Sequence, residues 1–321
     1  MGNALVDVLS QVDDDVLERH GLTKGSMTLI DLDQADRLGA DMPDQVTSAG
    51  GSAANTAAVI AMMGGHAGYI GRVRNDELGS AFASRLREQG VEFDTTPATD
   101  GPSTGRSLIL VTPDAQRTMN TYLGAASALH PSDVEDSLMQ GAAILYLEGY
   151  LWDQPDAKDA IRKAIDLASG HRMRIALTLS DGFCVEAHLP EFIQLIDDHV
   201  DILFANETEA MMLTGAQSGA EAAQALQGRC GVVAVTLSER GSLLSTPDEI
   251  VTVQAAPVAS VLDTTGAGDC YAAGVLLGLA RGLPLAVCGA AGSQAAAAAL
   301  GTVGARPQGA AAVALADVLP N

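Results

Sequence analysis

The run Asp263-Thr264-Thr265-Gly266-Ala267-Gly268-Asp269 sets a carboxylate at each end of a segment with almost no side chain in its middle. Gly266, Ala267 and Gly268 lack bulk, so their backbone N–H groups can close on an anion, and a helix starting here adds about half a positive charge at its N-terminus. Asp269, in the first helical turn, would stand beside that anion and could take a proton from an attacking hydroxyl. The bland alternative is a glycine turn in which Asp269 only favours a helix start.

Two further segments carry usable polar groups. In Gly50-Gly51-Ser52-Ala53-Ala54-Asn55 the glycines let a sugar ring press against the backbone, and Asn55 offers a donor and an acceptor to vicinal hydroxyls. An ordinary helix N-terminal turn reads the same way. Asn206-Glu207-Thr208-Glu209 has an Asn followed three residues later by Glu, which is a capping-box spacing. G-x-x-x-x-G-K-[ST] is absent, which removes a P-loop mechanism. His20, His66, His130, His171, His188 and His199 show no metal spacing, and Cys184, Cys230, Cys270 and Cys288 form no C-x-x-C pair, so neither a zinc site nor a disulfide framework is supported.

The elements that must hold these residues follow an α/β rhythm. Residues 3–9 read as a short strand, 52–63 as a helix, 67–71 as an apolar run, and 76–89 as an amphipathic helix stopped by Gly90. Two stretches break the pattern, 10–48 and 95–123, and in the second 106–111 and 117–123 flank the turn 112–116 as a β-hairpin. Strands are expected at 142–147, 173–179, 200–205, 232–236, 242–246 and 250–254. Helices are expected at 154–169, 188–197, 206–213 and 218–227, then from about 266 and 284, with an Ala-rich but still helical tail at 295–316. Such alternation argues for a doubly wound, mostly parallel sheet with helices on both faces and ligands at the carboxyl ends of its strands. Residues 1–9, 49–94 and 124–321 are assigned to that core, and 10–48 and 95–123 to a small β-rich lid.

Composition narrows the function. At 321 residues and 47% hydrophobic content the chain can bury a substantial core, so wholesale disorder is excluded. A net charge of -22 argues against nucleic acid and anionic membranes as partners, both of which need a basic footprint. It also requires that any polyanionic substrate be held by local amides, a helix N-terminus or a few cations. The N-terminus has no basic leader, and the apolar region 270–300 is broken by Arg281 and Pro284, so a cytoplasmic protein without a membrane span is expected.

Taken together, the Asp263–Asp269 run, the Gly50–Asn55 segment and Asn206–Glu209 resemble the signatures of the PfkB, or ribokinase-like, carbohydrate and nucleoside kinases. Asp201-Ile202-Leu203-Phe204-Ala205-Asn206-Glu207-Thr208-Glu209-Ala210, Gly2-Asn3-Ala4-Leu5-Val6-Asp7-Val8 and Leu179-Ser180-Asp181-Gly182-Phe183 are similar to segments of its adenosine kinase members, so the resemblance covers nearly the whole chain. It implies a ribokinase-like fold and ATP-dependent phosphorylation of an alcohol. The leading acceptor is the 5′-hydroxyl of a nucleoside, adenosine first; the rival is a sugar, as in ribokinase, fructokinase or 2-keto-3-deoxygluconate kinase.

Carried over by residue, the resemblance makes Asp269 the base and Gly266, Ala267, Gly268 and Arg117 the stabilisers of the transferred phosphoryl. Asp7 and Asn55 would bind ribose hydroxyls, Gly50 and Gly51 line the sugar, Asn3, Leu5 and Ser52 face the base, and Phe183 closes its pocket. ATP falls to Asn206, Thr236, Ser238, Gly241 and Thr265. Asn206 and Glu209 organise Mg2+ through water, and Asp263 is the candidate for a monovalent cation such as K+. Ser238 stands where the family's T-x-G-x-x-G loop has its first glycine, so a positive φ there would strain it. The implied partners are a nucleoside or sugar and ATP, and the assembly is a monomer or a homodimer.

Overall fold

The computed structural model describes residues 1–114 and 116–319. Its first half holds β1 (Leu5–Gln11), α1 (Asp14–His20), β2 (Met27–Leu29), α2 (Leu32–Ala40), β3 (Val46–Gly50), α3 (Ser52–Met62), β4 (Ala67–Gly68), α4 (Glu77–Glu88), β5 (Val91–Glu92), β6 (Gly105–Val111) and β7 (Arg117–Tyr122). The second half alternates through β8 (Ile144–Glu148), α5 (Pro155–Gly170), β9 (Arg174–Thr178), α6 (Gly182–His199), β10 (Ile202–Asn206), α7 (Glu207–Thr214), α8 (Gly219–Leu226) and β11 (Val232–Thr236). Next come β12 (Ser242–Ser245), β13 (Ile250–Val253), α9 (Ala267–Ala280), α10 (Leu285–Leu300) and α11 (Gly309–Leu315).

Strands β8 to β11 are short, nearly continuous apolar runs, which is what a strand buried on both faces requires. They pair in parallel, and β12 and β13 extend the sheet antiparallel, in the order β13-β12-β11-β10-β9-β8. The two-residue period of a strand sorts the core. Ile175, Leu177, Leu203, Val233 and Val235 pack with α5 to α8, while Ala176, Ile202, Phe204, Val232 and Ala234 pack with α9 and α10. The expected doubly wound α/β architecture is therefore present.

The other sheet has the order β2-β7-β6-β1-β3. The expected hairpin is there, β6 against β7 with Arg106 opposite Tyr122 and Val111 opposite Arg117; Ala115, in its turn, lies outside the described residues. The strand read at 3–9 belongs to two places. Residues 1–3 lie along β8, with the Glu148 N–H donating to Met1 O and the Gly2 N–H to Ile70 O, and β1 then crosses to pair with β3 and β6. The stretch 10–48 also contains two helices, α1 and α2, that its broken periodicity does not announce. Helix α6 starts at Gly182, six residues before the expected 188, and departs from helical geometry at His188, two residues ahead of Pro190. Proline lacks an N–H and its ring crowds the preceding turn, so the segment is two helical stretches joined at a kink, and the expected helix from 188 corresponds to the second of them.

Helix α9 carries Asp269 in its first turn, so its placement sets the site. Small residues let α10 approach it closely: a Cβ at Gly274 would come within 2.5 Å of the Gly292 N and 2.7 Å of the Ala291 O. In an exposed helix Gly→Ala gains about 1 kcal/mol. Here the obstacle is backbone, so Gly274→Ala is expected to destabilise by about 1–3 kcal/mol in urea unfolding. A stabilised variant would show that the helices are not in this contact.

Candidate active site

Asp269 faces α3 across the contact between α3 and α9. Its Oδ1 accepts from the Ser52 Oγ at 2.6 Å and its Oδ2 from the Asn55 Nδ2 at 2.8 Å. Both donors are on α3, which begins directly after Gly50 and Gly51. Those glycines are required by space. A Cβ at Gly50 would overlap the Asp7 carboxylate, and one at Gly51, whose φ is 98°, would overlap the Asn3 carbonyl oxygen. Asp7 and Asn3 thus lie against the turn that feeds the helix holding Asp269. Leu5 stands opposite Gly50 in the β1–β3 register.

Gly266 caps α9 with φ 74°, and no side chain caps its first turn, so its opening amides have no side-chain partner. A Cβ at Gly266 would strike the Ala305 carbonyl, whereas one at Gly268 would meet nothing within 4 Å. The Gly268 side of the turn is open to a ligand, and the Gly266 side is closed by the loop after α10.

Arg117 and Asp263 form an almost wholly buried ion pair, Nη1 to Oδ2 at 2.8 Å, which ties β7 to the Asp263–Asp269 run. The Arg117 Nη2 is buried without a protein partner. Asp263 also accepts from the Thr265 N–H at 3.0 Å and the Gly304 N–H at 2.7 Å. Its oxygens accept these three donors and its charge is paired with Arg117 inside the protein, which leaves little negative charge for a monovalent cation at Asp263. Thr265 contributes its amide to that turn.

The nucleotide-binding candidates gather at the carboxyl ends of β10 and β11, where Asn206 stands opposite Thr236 in register. Asn206 and Glu209 form a capping box: Asn206 accepts from the Glu209 N–H at 2.9 Å, while Glu209 accepts from the Asn206 N–H at 2.9 Å and from its Nδ2 at 2.6 Å. With both carboxylate oxygens engaged, the pair fits an ion held through its water shell. Among the described residues no group of three or more His, Cys, Asp or Glu could hold a metal directly. Ser238 has φ 55°, so the strain expected of a serine in the glycine position is present, and Gly241, φ 88°, closes the loop against the Val253 carbonyl.

Burial governs the titration of this region. It pushes Asp7 and Asp269 up to about 6, partly opposed at Asp7 by Arg306 and Arg117 and at Asp269 by Ser52, Asn55 and Arg306. Burial also pushes Glu148 and Glu209 up to about 7.

Three residues join the site without a motif to announce them. Glu148, at the end of β8, accepts from the Asn3 Nδ2 at 3.1 Å and the Ala53 N–H at 3.0 Å. Tyr150 sits 5.8 Å, ring to ring, from Phe183, which is 47% exposed at the start of α6. Arg306 donates from Nε to the Asn55 Oδ1 at 2.8 Å and from Nη1 to the Gln89 Oε1. The available signal for Arg306 was its isolation, as the one Lys or Arg after Arg281 in an Ala- and Gly-rich tail. Ser52, placed by resemblance at the base, has its hydroxyl on Asp269.

A mostly parallel α/β sheet thus brings together an uncapped glycine helix start and a carboxylate, an arrangement suited to holding an anion beside a base. The chain belongs to the pfkB family of carbohydrate kinases, whose family profile matches residues 22–310. Among solved structures, adenosine kinase from Sinorhizobium meliloti is 46% identical, with 98% of this chain and 96% of that one covered and a TM-score of 0.88. A probable sugar kinase protein from Rhizobium etli CFN 42 is 42% identical, covering 98% and 95%, with a TM-score of 0.89. Among curated relatives, guanosine-inosine kinase of Escherichia coli (strain K12) is 30% identical over 223 residues, 66% of this chain. The chain spans about half the length of the first curated relatives it matches, 41% and 51%. Among the described residues no helix is long and apolar enough to cross a membrane.

Two measurements test this geometry. Free Asp and Glu titrate near 3.9 and 4.3, so the four raised carboxyls lose protons in the unfolded chain before the folded one as pH rises. Their contribution favours folding least once pH has passed about 6 to 7, and the thermal midpoint is expected to fall between about pH 5.5 and 7.5. A rising midpoint would contradict the buried acids. Ser238→Gly should gain about 1 kcal/mol in urea unfolding by relieving the left-handed backbone; no gain would mean that the hydroxyl offsets the strain.

Proposed function

We propose that the chain is an ATP-dependent phosphotransferase acting on the 5′-hydroxyl of a nucleoside, with adenosine the leading acceptor. The reading is carried by one observation: Asp269, held by Ser52 and Asn55, stands in the first turn of an uncapped helix beside Gly266–Gly268. Asp269 takes the proton as the acceptor oxygen bonds to the γ-phosphorus and the bond to the β-phosphate oxygen breaks, releasing ADP. The amides of Gly266 to Gly268 and the unpartnered Nη2 of Arg117 stabilise the charge on the transferred group. Magnesium arriving with ATP supplies further neutralisation of the phosphates, and Asn206 with Glu209 would hold its water.

Asp7 and Asn55 bind the acceptor's hydroxyls over Gly50 and Gly51, with Glu148 fixing Asn3 at the base side. The five-stranded sheet, built mainly from 10–48 and 95–123, is the lid whose closure excludes water from the phosphoryl group. Two features support a nucleoside over a free sugar: the exposed Phe183 ring beside Tyr150, which suits stacking on a base, and the similarity to the Sinorhizobium meliloti adenosine kinase. The similarity to the Rhizobium etli probable sugar kinase keeps a sugar acceptor in the test.

ADP release measured with adenosine, inosine, guanosine, ribose and fructose is expected to be fastest with adenosine. Preference for a free sugar over every nucleoside would overturn the acceptor assignment. Asp269→Asn is expected to fold and bind ligand while kcat falls by ~10² or more, the range for loss of a general base; near-normal turnover would place the base elsewhere.

A further inference from the structure

Arg306 is 8% exposed and follows the loop after α10. That loop is strapped to the start of α9: the Gly304 N–H donates to Asp263 and the Cys270 Sγ to the Ala305 carbonyl at 3.7 Å, and the Ala305 carbonyl closes on Gly266. From there the guanidinium reaches α3 and α4 together, through Asn55 and Gln89. Resting on the function proposed above, we propose that Arg306 is a positioning residue for phosphoryl transfer, fixing the Asn55 amide so that it meets Asp269 with its donor end.

The argument turns on what an amide can do. The two ends of an Asn side chain have nearly the same shape and opposite hydrogen-bonding roles, so packing does not choose between them. A guanidinium only donates. With the Arg306 Nε on Oδ1, the Nδ2 must face the Asp269 Oδ2, as it does at 2.8 Å. Reversing the amide would set its oxygen against the Asp269 carboxylate and its NH2 against Arg306, and both contacts repel.

Charge acts in the same direction. Burial weakens the hold of Arg306 on its proton, while Asp7 and Asp269 strengthen it. The other titratable groups that feel the charge of Asp269 are Asp7, Glu148, Tyr146, Tyr150 and Cys270, and each is an acid. Arg306 is the cation that opposes burial at Asp269.

The experiment compares wild type, Arg306→Met, Arg306→Lys, Gln89→Ala and Asp269→Asn in pH profiles of kcat and kcat/KM with ATP and the best acceptor. Arg306→Met should lower kcat about tenfold or more and move the acid limb of kcat/KM up by about one pH unit, with the KM for ATP changed less than about twofold. Arg306→Lys should restore the acid limb towards wild type and leave kcat reduced, because it keeps the charge without the fork. Gln89→Ala, at a half-buried helix end, should lower kcat in the same sense by a smaller factor, and it carries the test if Arg306→Met fails to fold. An acid limb unmoved in Arg306→Met, or in its absence wild-type kcat in Gln89→Ala, overturns the inference. An inactive Asp269→Asn beside an unaltered Arg306→Met overturns this inference alone, whereas an active Asp269→Asn overturns the functional reading with it.

Discussion

A chain with 40 acidic residues against 18 basic ones sets two carboxylates, Asp7 and Asp269, within reach of each other's charge. Removing a carboxylate from water disfavours its ionised form, and at Asp7 the charge of Asp269 adds to that effect. Cations and donors are accordingly concentrated here. Arg306 lies behind Asn55, Arg117 is bound to Asp263, and Ser52 and Asn55 both donate to Asp269. Each of these contacts also joins separate parts of the fold. The electrostatics of the site and its mechanical assembly are therefore the same set of contacts.

Close approach is the second requirement, and it explains why glycine and alanine are so frequent. Asp7 can lie against the β3–α3 turn because Gly50 and Gly51 have no Cβ, and the loop carrying Arg306 can lie on α9 because Gly266 has none. Gly274 and Gly292 then let α10 press on α9 along its length. An Asp at the start of a helix is held no more rigidly than that helix. The buried small-residue contact supplies what a larger aromatic core supplies in other proteins, which is consistent with only 3% aromatic residues.

The succession of strands and helices in the second half was legible because strands buried on both faces and amphipathic helices leave strong, distinct periods, and the glycine-rich motifs were legible because turns with positive φ restrict residue type. Helices α1 and α2 were not, since their short polar segments fall in a stretch, 10–48, assigned to a β-rich lid because its periodicity is broken. The crossing of residues 1–11 from one sheet to the other was equally silent: a strand's alternation reports which face is buried and says nothing about its partner. Arg306 escaped because its role depends on tertiary contacts with residues 251 and 217 positions away. Asn206 and Glu209 show the converse. Their spacing fitted a capping box and a magnesium-ordering pair alike, and the capping box is formed.

The two carboxylates sit on different parts of the molecule. Asp7 lies on β1 in the five-stranded sheet, as does Arg117 on β7, whereas Asp269 and Asp263 belong to the α9 side. The Arg117–Asp263 pair and the continuous run from β3 through Gly51 into α3 connect the halves. A ligand contacting both Asp7 and Asp269 must therefore depend on how the two sheets are set against each other, while Asn55, held by Arg306 on one side and Asp269 on the other, stays with the α9 side. Buried pairs of this kind contribute little net stability when intact and are costly to split. Arg117 and Asp263 thus favour one setting of the two sheets strongly over any in which they part.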